Sequence, residues 1–451
     1  MAVKLIMLLL FFSVMVGVGI YSRKHATSMN DFVLGGRSVG PWLTAFAYGT
    51  SYFSAVVFVG YAGQFGWKYG LASTWVGLGN AVLGSLLAWV VLGRRTRIMT
   101  HHLKAATMPD FFGKRYDSNA LRIAASAIVF IFLIPYTASL YNGLSRLFGM
   151  AFDVPYAVCV ILMATLTGVY VILGGYMATA INDFIQGIIM LAGIVAVILA
   201  VLNGQGGFMQ AVRSLSEIPS DVPVTLGQQG AFTSFFGPDP VNLMGVVILT
   251  SLGTWGLPQM VHKFYTIRNE KAVNTGTVIS TAFAVIISGG WYFLGGFGRL
   301  FGIPGNYAED GSIIYDGIIP SMLSTLPDVL IGIVVILVLS ASMSTLSSLV
   351  LTSSSTLTLD FIKGNLMKDL SDKKQLLITR ILIVFFIIIS VILALDPPTF
   401  IAQLMGISWG ALAGAFLAPF LYGLFWKRVT KAAVWASFAA GVGITVSNMF
   451  L

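Results

Sequence analysis

At 451 residues, 57% of them hydrophobic and only 10% charged, the chain is too apolar for a soluble fold, where about a quarter of residues carry charge. No stretch between its apolar blocks is long enough for a soluble catalytic domain, and its net charge of +9 is distributed among short loops, which argues against nucleic acid. The single cysteine, Cys159, excludes an intramolecular disulfide, and the four histidines form no metal-ligand cluster.

Residues 3–21 supply roughly the 20 apolar residues that cross a hydrocarbon core. Lys4 ahead of this run also suits a signal peptide, but no small-x-small cleavage site follows and Arg23 and Lys24 flank the far end, so it reads as a retained span. The second expected span, 40–66, carries the polar and aromatic patch Gly49-Thr50-Ser51-Tyr52-Phe53-Ser54 at mid-membrane. Spans over 70–93, 121–149, 154–174 and 180–203 follow, the last holding Asp183. Segment 204–240, rich in Gly, Ser and Pro and carrying Glu217, Asp221 and Asp239, reads as a surface loop or a short lid. The seventh span, 241–266, contains Gly253-Thr254-Trp255-Gly256-Leu257-Pro258, and the eighth runs over 271–300. Segment 301–325, with Glu309, Asp310 and Asp316, likewise reads as a surface loop or a short lid helix. The ninth span, 326–359, is dense in hydroxyls, and spans over 374–396, 398–424 and 430–450 make twelve in all.

With the N-terminus outside, 21 of the 26 Lys and Arg residues fall in inside segments, and only Lys4, Lys68, Arg146, Arg213 and Arg299 lie outside. Lys and Arg bias loops toward the cytoplasm, so the basic balance reports topology: a multi-pass protein of the plasma (inner) membrane, with the lipid bilayer as its solvent.

Gly and Pro in mid-span free backbone groups that lipid cannot satisfy. Such interruptions at matching places of two halves, here 49–54 and 253–258, point to a transporter built of inverted repeats; ordinary helix kinks are the alternative. Asp183 is the one acidic residue clearly within a span, a candidate site residue unless it reaches water from near the helix end. Ser344, Ser347 and Ser348 fall at i, i+3 and i+4, so their hydroxyls share one face. Oxygen ligands suit a hard monovalent cation; small residues that let helices pack closely are the alternative.

The order and content of these segments resemble the solute:sodium symporter family, over essentially the whole chain. Asp31-Phe32-Val33-Leu34-Gly35-Gly36-Arg37-Ser38 is similar to the family's cytoplasmic segment after the first helix, and Ser54 through Gly60 to its unwound helix. Gly174-Gly175-Tyr176 with Asn182-Asp183 and Gln186 resembles its Gly-Gly…Asp-x-x-Gln stretch, and Ala341-x-x-Ser344-Thr345 its sodium-binding helix. The resemblance implies an all-α integral membrane protein with a leucine-transporter-type 5+5 inverted repeat and one extra N-terminal helix. The implied division is 1–39 for the extra helix and its loop, 40–203 and 241–424 for the two repeats around the loop 204–240, and 425–451 for a last helix. It further implies a sodium site from the carbonyls of Thr50, Phe53 and Ala341 and the hydroxyls of Ser344 and Thr345. Asp183, Ser347 and Ser348, with Ser344 shared, match a second sodium position of some members.

The implied solute site lies between the two interruptions, at Tyr52, Ser54 and Val57 with Trp75, Tyr136 and Trp255 as walls, although each aromatic also suits plain core packing. Thr250 and Thr254 stand where proline carriers would have Trp or Tyr, and Val56 and Val57 where sugar and sialic-acid carriers have polar residues. These departures favour a monocarboxylate, an amino acid or a vitamin-like acid over a sugar. The expected activity is sodium-coupled import of such a small-molecule substrate by alternating access, with no obligatory protein partner and no nucleic acid. A proton-coupled transporter of the same fold and a membrane solute sensor are the alternatives. A membrane enzyme would need a cluster of acids, bases or a metal, and Asp183 stands alone among the expected spans.

Overall fold

The computed structural model describes residues 2–152, 154–302, 307, 311–367, 369–396, 398–399 and 401–449. These residues are almost wholly helical, with only the isolated bridges Val39–Ile267 and Tyr307–Ile313 as β features among them. Among the described residues eight helices are long and apolar enough to cross a membrane, or nine with the bent pair Pro240–Gly256 and Pro258–Thr266 taken as one.

Two of the eight are too long for one crossing. Val56–His102 and Tyr156–Gly204 run for 47 and 49 residues, about 70 Å if straight, against a hydrocarbon core of about 30 Å. Each is broken by a glycine in a conformation that side chains rarely adopt: Gly70 at φ 60°, ψ −141° and Gly175 at φ 53°, ψ −142°. A Cβ at Gly70 would come within 2.1 Å of the Phe232 carbonyl oxygen, and one at Gly175 within 2.6 Å of the Phe32 carbonyl oxygen, so only glycine fits either turn.

The layering follows from polarity. The hydroxyl-rich helix Asp328–Thr356 is central: 83% of its span window is buried, against 28% for the first helix and for Asp372–Leu395. The outer helices turn large aliphatic side chains such as Leu9, Leu10, Ile381 and Ile392 outward, as a lipid-facing surface requires.

The five segments expected inside meet on one face, tied together by arginines and lysines of the first, second and fifth. Arg37 donates to the carbonyls of Ala105 (2.6 Å) and Tyr265 (3.4 Å), and Arg94 pairs with Glu270 at 2.5 Å. Arg122 donates to the Gly364 carbonyl, Arg115 to that of Gly423 and Lys431 to that of Asp117. Most of these acceptors are carbonyls near helix ends, where cations are favoured. Burial pulls the Arg37 guanidinium below its ordinary pKa, and the nearby Arg97 charge acts the same way. At the other face Lys4 pairs with Asp328 at 3.1 Å and donates to the Ala151 carbonyl, while Arg299 pairs with Asp221 and donates to the Trp67 carbonyl.

Two sequence expectations change. Asp316, assigned to a surface loop or short lid helix, is buried and accepts from the Ile401 amide at 3.2 Å, capping the helix Ile401–Phe425. Asp360 joins Asp183 as a buried acid, because the ninth helix continues as a wide turn over Leu357–Leu366; the Thr107 hydroxyl donates to it at 2.5 Å. Segment 204–240, expected as a surface loop or a short lid helix, contains the short helix Phe208–Ser216. Glu309 and Asp310 lie outside the described residues.

Candidate functional site

Two helices are interrupted near the middle of the molecule, at the places the sequence marks. Helix Pro41–Tyr52 ends at Phe53, whose φ −107° and ψ 99° are extended, and the chain resumes through the wide turn Val56–Tyr61. Ser54 Oγ accepts from the Val56 amide at 3.3 Å, giving the new segment a side-chain cap. In the second interruption Pro240–Leu252 passes through the tight turn Gly253–Gly256 into Pro258–Thr266, bent by 51°. Pro258 holds Leu257 extended and starts the next helix without needing an amide partner.

A helix end leaves carbonyls without intrahelical partners, and at the first interruption the hydroxyl-rich helix supplies them. Ser344 Oγ donates to the Thr50 carbonyl at 3.0 Å and is 3.0 Å from that of Ala341. Thr345 Oγ1 lies 3.3 Å from the carbonyls of Thr50 and Ser51 and 3.1 Å from that of Ala341. Thus four of the five residues expected at the first sodium site converge, all fully buried, with Ser51 as an addition. Phe53 lies at the interruption, buried, with its ring stacked on Tyr52 at 4.3 Å. The donor set fits a hard cation: five oxygens, three of them carbonyls, and hydroxyls that can turn their lone pairs inward.

The second expected set is brought together as well, around a group that sequence reasoning put elsewhere. Asp183 is completely buried, which removes the reading in which it reaches water. Ser347 Oγ donates to the Ser344 carbonyl at 2.9 Å, and Ser348 Oγ is 2.9 Å from Ser51 Oγ. Into this space projects Lys263, whose Nζ donates to Ser348 Oγ at 2.8 Å and lies 3.7 Å from Asp183 Oδ2. Lys263, one of the 21 basic residues the sequence assigns to inside segments, is instead 2% exposed. The available signal was a polar stripe, Gln259, His262, Lys263 and Thr266 at i, i+3, i+4 and i+7, in the half-helix after the break.

The expected solute residues are only partly assembled. Tyr52, Ser54, Val57 and Tyr136 are buried beside the first interruption. Trp409, which sequence reasoning missed, ties them together, with ring centroids 6.4 Å from Tyr52 and 6.2 Å from Tyr136. Trp255 stays at the second interruption but donates its indole N–H to the Leu83 carbonyl at 3.0 Å. Trp75 is not brought to the site: five residues past the turn at Gly70, it donates to the Phe235 carbonyl and packs edge-on against the Phe235 ring. Thr250 and Ser251 both donate to Asn80 Oδ1, at 3.0 and 3.1 Å, and Tyr52 donates to the Thr250 carbonyl, so polar contacts link the two interruptions.

Comparison with known proteins places this geometry. Residues 32–441 match the model of the Sodium:solute symporter family. The osmoregulated proline transporter OpuE of Bacillus subtilis is 30% identical over 448 residues, covering 98% of this chain and 87% of that protein. A sodium/proline symporter of Staphylococcus aureus is 29% identical over 454 residues, 98% of this chain and 85% of its own length. Among solved structures, a substrate-bound, outward-open Na+-coupled sialic acid symporter superposes with a TM-score of 0.77 at 17% identity, covering 98% of this chain and 95% of that one. A nucleobase-cation-symport-1 transporter in a closed conformation gives 0.53 at 13% identity, over 93% and 94% of the two chains. At those identities the structures speak for the fold alone.

Proposed function

This chain belongs to the sodium:solute symporter family, and on that premise we propose that it imports a small carboxylic acid, an amino acid first among the candidates, together with sodium by alternating access. Sodium-coupled transport of a small molecule, with no enzymatic reaction, is the family's activity. The observation that carries the finer reading is the oxygen cluster at the first interruption, where Thr50, Ala341, Ser344 and Thr345 meet beside Phe53. We assign the sodium ion there, and the solute to the adjoining Tyr52, Ser54, Val57 and Tyr136, with Trp409 in place of Trp75.

Two features support a carboxylate. The relatives named above carry proline. Both interruptions restart with helix N-termini, at Ala55 and Pro258, in the interior, and such ends favour anionic groups.

Dividing the two long runs at Gly70 and Gly175 supports twelve crossings, with Pro41–Tyr52 joined to its continuation, the bent pair as one and Lys431–Ser447 as the last. The similar placement of the interruptions supports inverted repeats over 40–203 and 241–424, flanked by 1–39 and 425–451 and separated by 204–240. The convergence of the basic segments on one face supports a plasma-membrane protein with that face cytoplasmic and its N-terminus outside.

In the cycle, sodium bound from outside holds the broken helix against Asp328–Thr356, and the ordered residues 52–54 receive the solute. One charge crossing 100 mV contributes about 2.3 kcal/mol. The test is thermal stability of the purified protein with amino acids, monocarboxylates, vitamins and sugars, each in NaCl and in choline chloride. A carboxylate that stabilises only in NaCl is the expected result; stabilisation by a solute irrespective of sodium overturns the coupling.

A further inference from the structure

Asp183 is a carboxylate in the middle of a membrane protein, with no water-exposed surface. Among the described residues neither of its oxygens has a hydrogen-bond partner, and its partner in charge is the Lys263 ammonium at 3.7 Å. A buried carboxylate needs a cation beside it. The question is which cation this pocket is built to hold.

Lys263 reaches it from the half-helix beyond the second interruption. Its Nζ donates to Ser348 Oγ at 2.8 Å and sits over the Tyr176 ring at 5.4 Å. Ser348 in turn meets Ser51 at the end of the first half-helix, at 2.9 Å. The ammonium therefore stands where the oxygens of Asp183 and Ser348 would have to receive a second sodium ion. A sodium ion added there would be about 4 Å from the ammonium. At an effective dielectric constant of about 20, that repulsion alone weakens its binding roughly a thousandfold, about 4 kcal/mol at 1.4 kcal/mol per tenfold. Among the described residues no cation contacts the oxygen set at Ser344 and Thr345, so the two expected positions differ.

We infer that the Lys263 ammonium is a tethered cation that fills the second sodium position, so that this carrier binds and moves one sodium ion per cycle; the inference rests on the sodium-site assignment above. A tethered cation is not released into the cytoplasm and adds nothing to the driving force. A neutral zwitterionic solute would then cross with a single net charge. The same lysine joins parts of four helices, those bearing Ser51, Asp183, Ser348 and Lys263 itself, and can hold the two interrupted helices together whether or not sodium is bound.

The experiment is equilibrium binding of ²²Na⁺ to the purified full-length chain, without solute, counted as ions per protein. Wild type and Lys263→Arg are expected to bind one ion with a Hill coefficient of one. Lys263→Met, which leaves Asp183 uncompensated, is expected to bind two, and Lys263→Met with Asp183→Asn to return to one. Two ions on the wild type overturn the inference, and this arm needs no variant to fold. One ion on a folded Lys263→Met protein overturns it as well. Absence of saturable ²²Na⁺ binding to the wild type instead overturns the sodium-site assignment, and the inference with it.

Discussion

Replacing Thr345 by valine keeps the branched shape of the side chain and removes one hydroxyl from the proposed sodium site. That hydroxyl lies 3.1 Å from the Ala341 carbonyl and 3.3 Å from those of Thr50 and Ser51, so it is central to the oxygen cluster. An interaction between a hydroxyl and a charged group is worth about 1.5–3 kcal/mol, and its loss predicts sodium binding weaker by roughly 10- to 150-fold. The assay is half-saturation by ²²Na⁺ on the purified protein, with Thr345→Ser and Ser342→Ala as companions. Thr345→Ser keeps the oxygen and should retain most of the affinity. Ser342, three residues away on the same helix, donates to the Val338 carbonyl, so its alanine variant should bind sodium as the wild type does. An unchanged half-saturation in Thr345→Val, or an equal loss in Ser342→Ala, would refute the assignment.

Gly175→Ala should lower the thermal unfolding temperature in detergent, because the residue sits at φ 53° and its Cβ would meet the Phe32 carbonyl oxygen at 2.6 Å. Backbone strain of that kind costs about 1–3 kcal/mol before the clash is counted, and an unchanged temperature would remove the turn from the argument. Trp75→Phe should leave the solute concentration for half-maximal uptake within about twofold of wild type, as for a residue remote from the site. A tenfold rise would return Trp75 to the pocket. In a Cys159→Ala background, cysteines at Ser234 and Lys431 should react with an impermeant maleimide from opposite sides of the membrane; reaction from one side would refute the topology.

What the sequence reveals about this molecule follows from how local each signal is. Gly and Pro act on the backbone at their own positions, so the interruptions at 53–55 and 253–257 are legible before any packing is known. The hydroxyl face of Ser344, Ser347 and Ser348 is likewise a property of one helix. Lys263 was misplaced because a lysine near the end of an apolar run ordinarily marks a cytoplasmic loop. Its burial depends on the 51° bend, which turns a half-helix of nine residues inward toward Asp183 on another segment. Trp75 was misplaced for the converse reason: the sharp turn at Gly70 leaves it at the outer end of its helix beside Phe235. The burial of Asp316 and Asp360 is not legible in the sequence because a capping carboxylate and a widened helix end are settled by distant partners, Ile401 and Thr107.

The proposed coupling can be traced to one short stretch of chain. Thr50 and Ser51 supply carbonyls to the oxygen cluster, while Tyr52 and Ser54, the next residues but for Phe53, face the proposed solute site. An ion at the cluster binds two bodies at once, the end of helix Pro41–Tyr52 and the middle of Asp328–Thr356, and so favours the arrangement in which they touch. A ligand shifts an equilibrium only by its differential affinity for the two states, and this geometry provides such a difference directly. The solute then meets residues 52–54 already ordered, and by linkage it must tighten sodium by the same factor. No long-range path is needed, because ion and solute share the interrupted segment. Weakening the ion's hold on Thr50 should therefore weaken the solute in parallel, whereas a change confined to Tyr136 or Trp409 should weaken the solute and alter sodium only through that shared term.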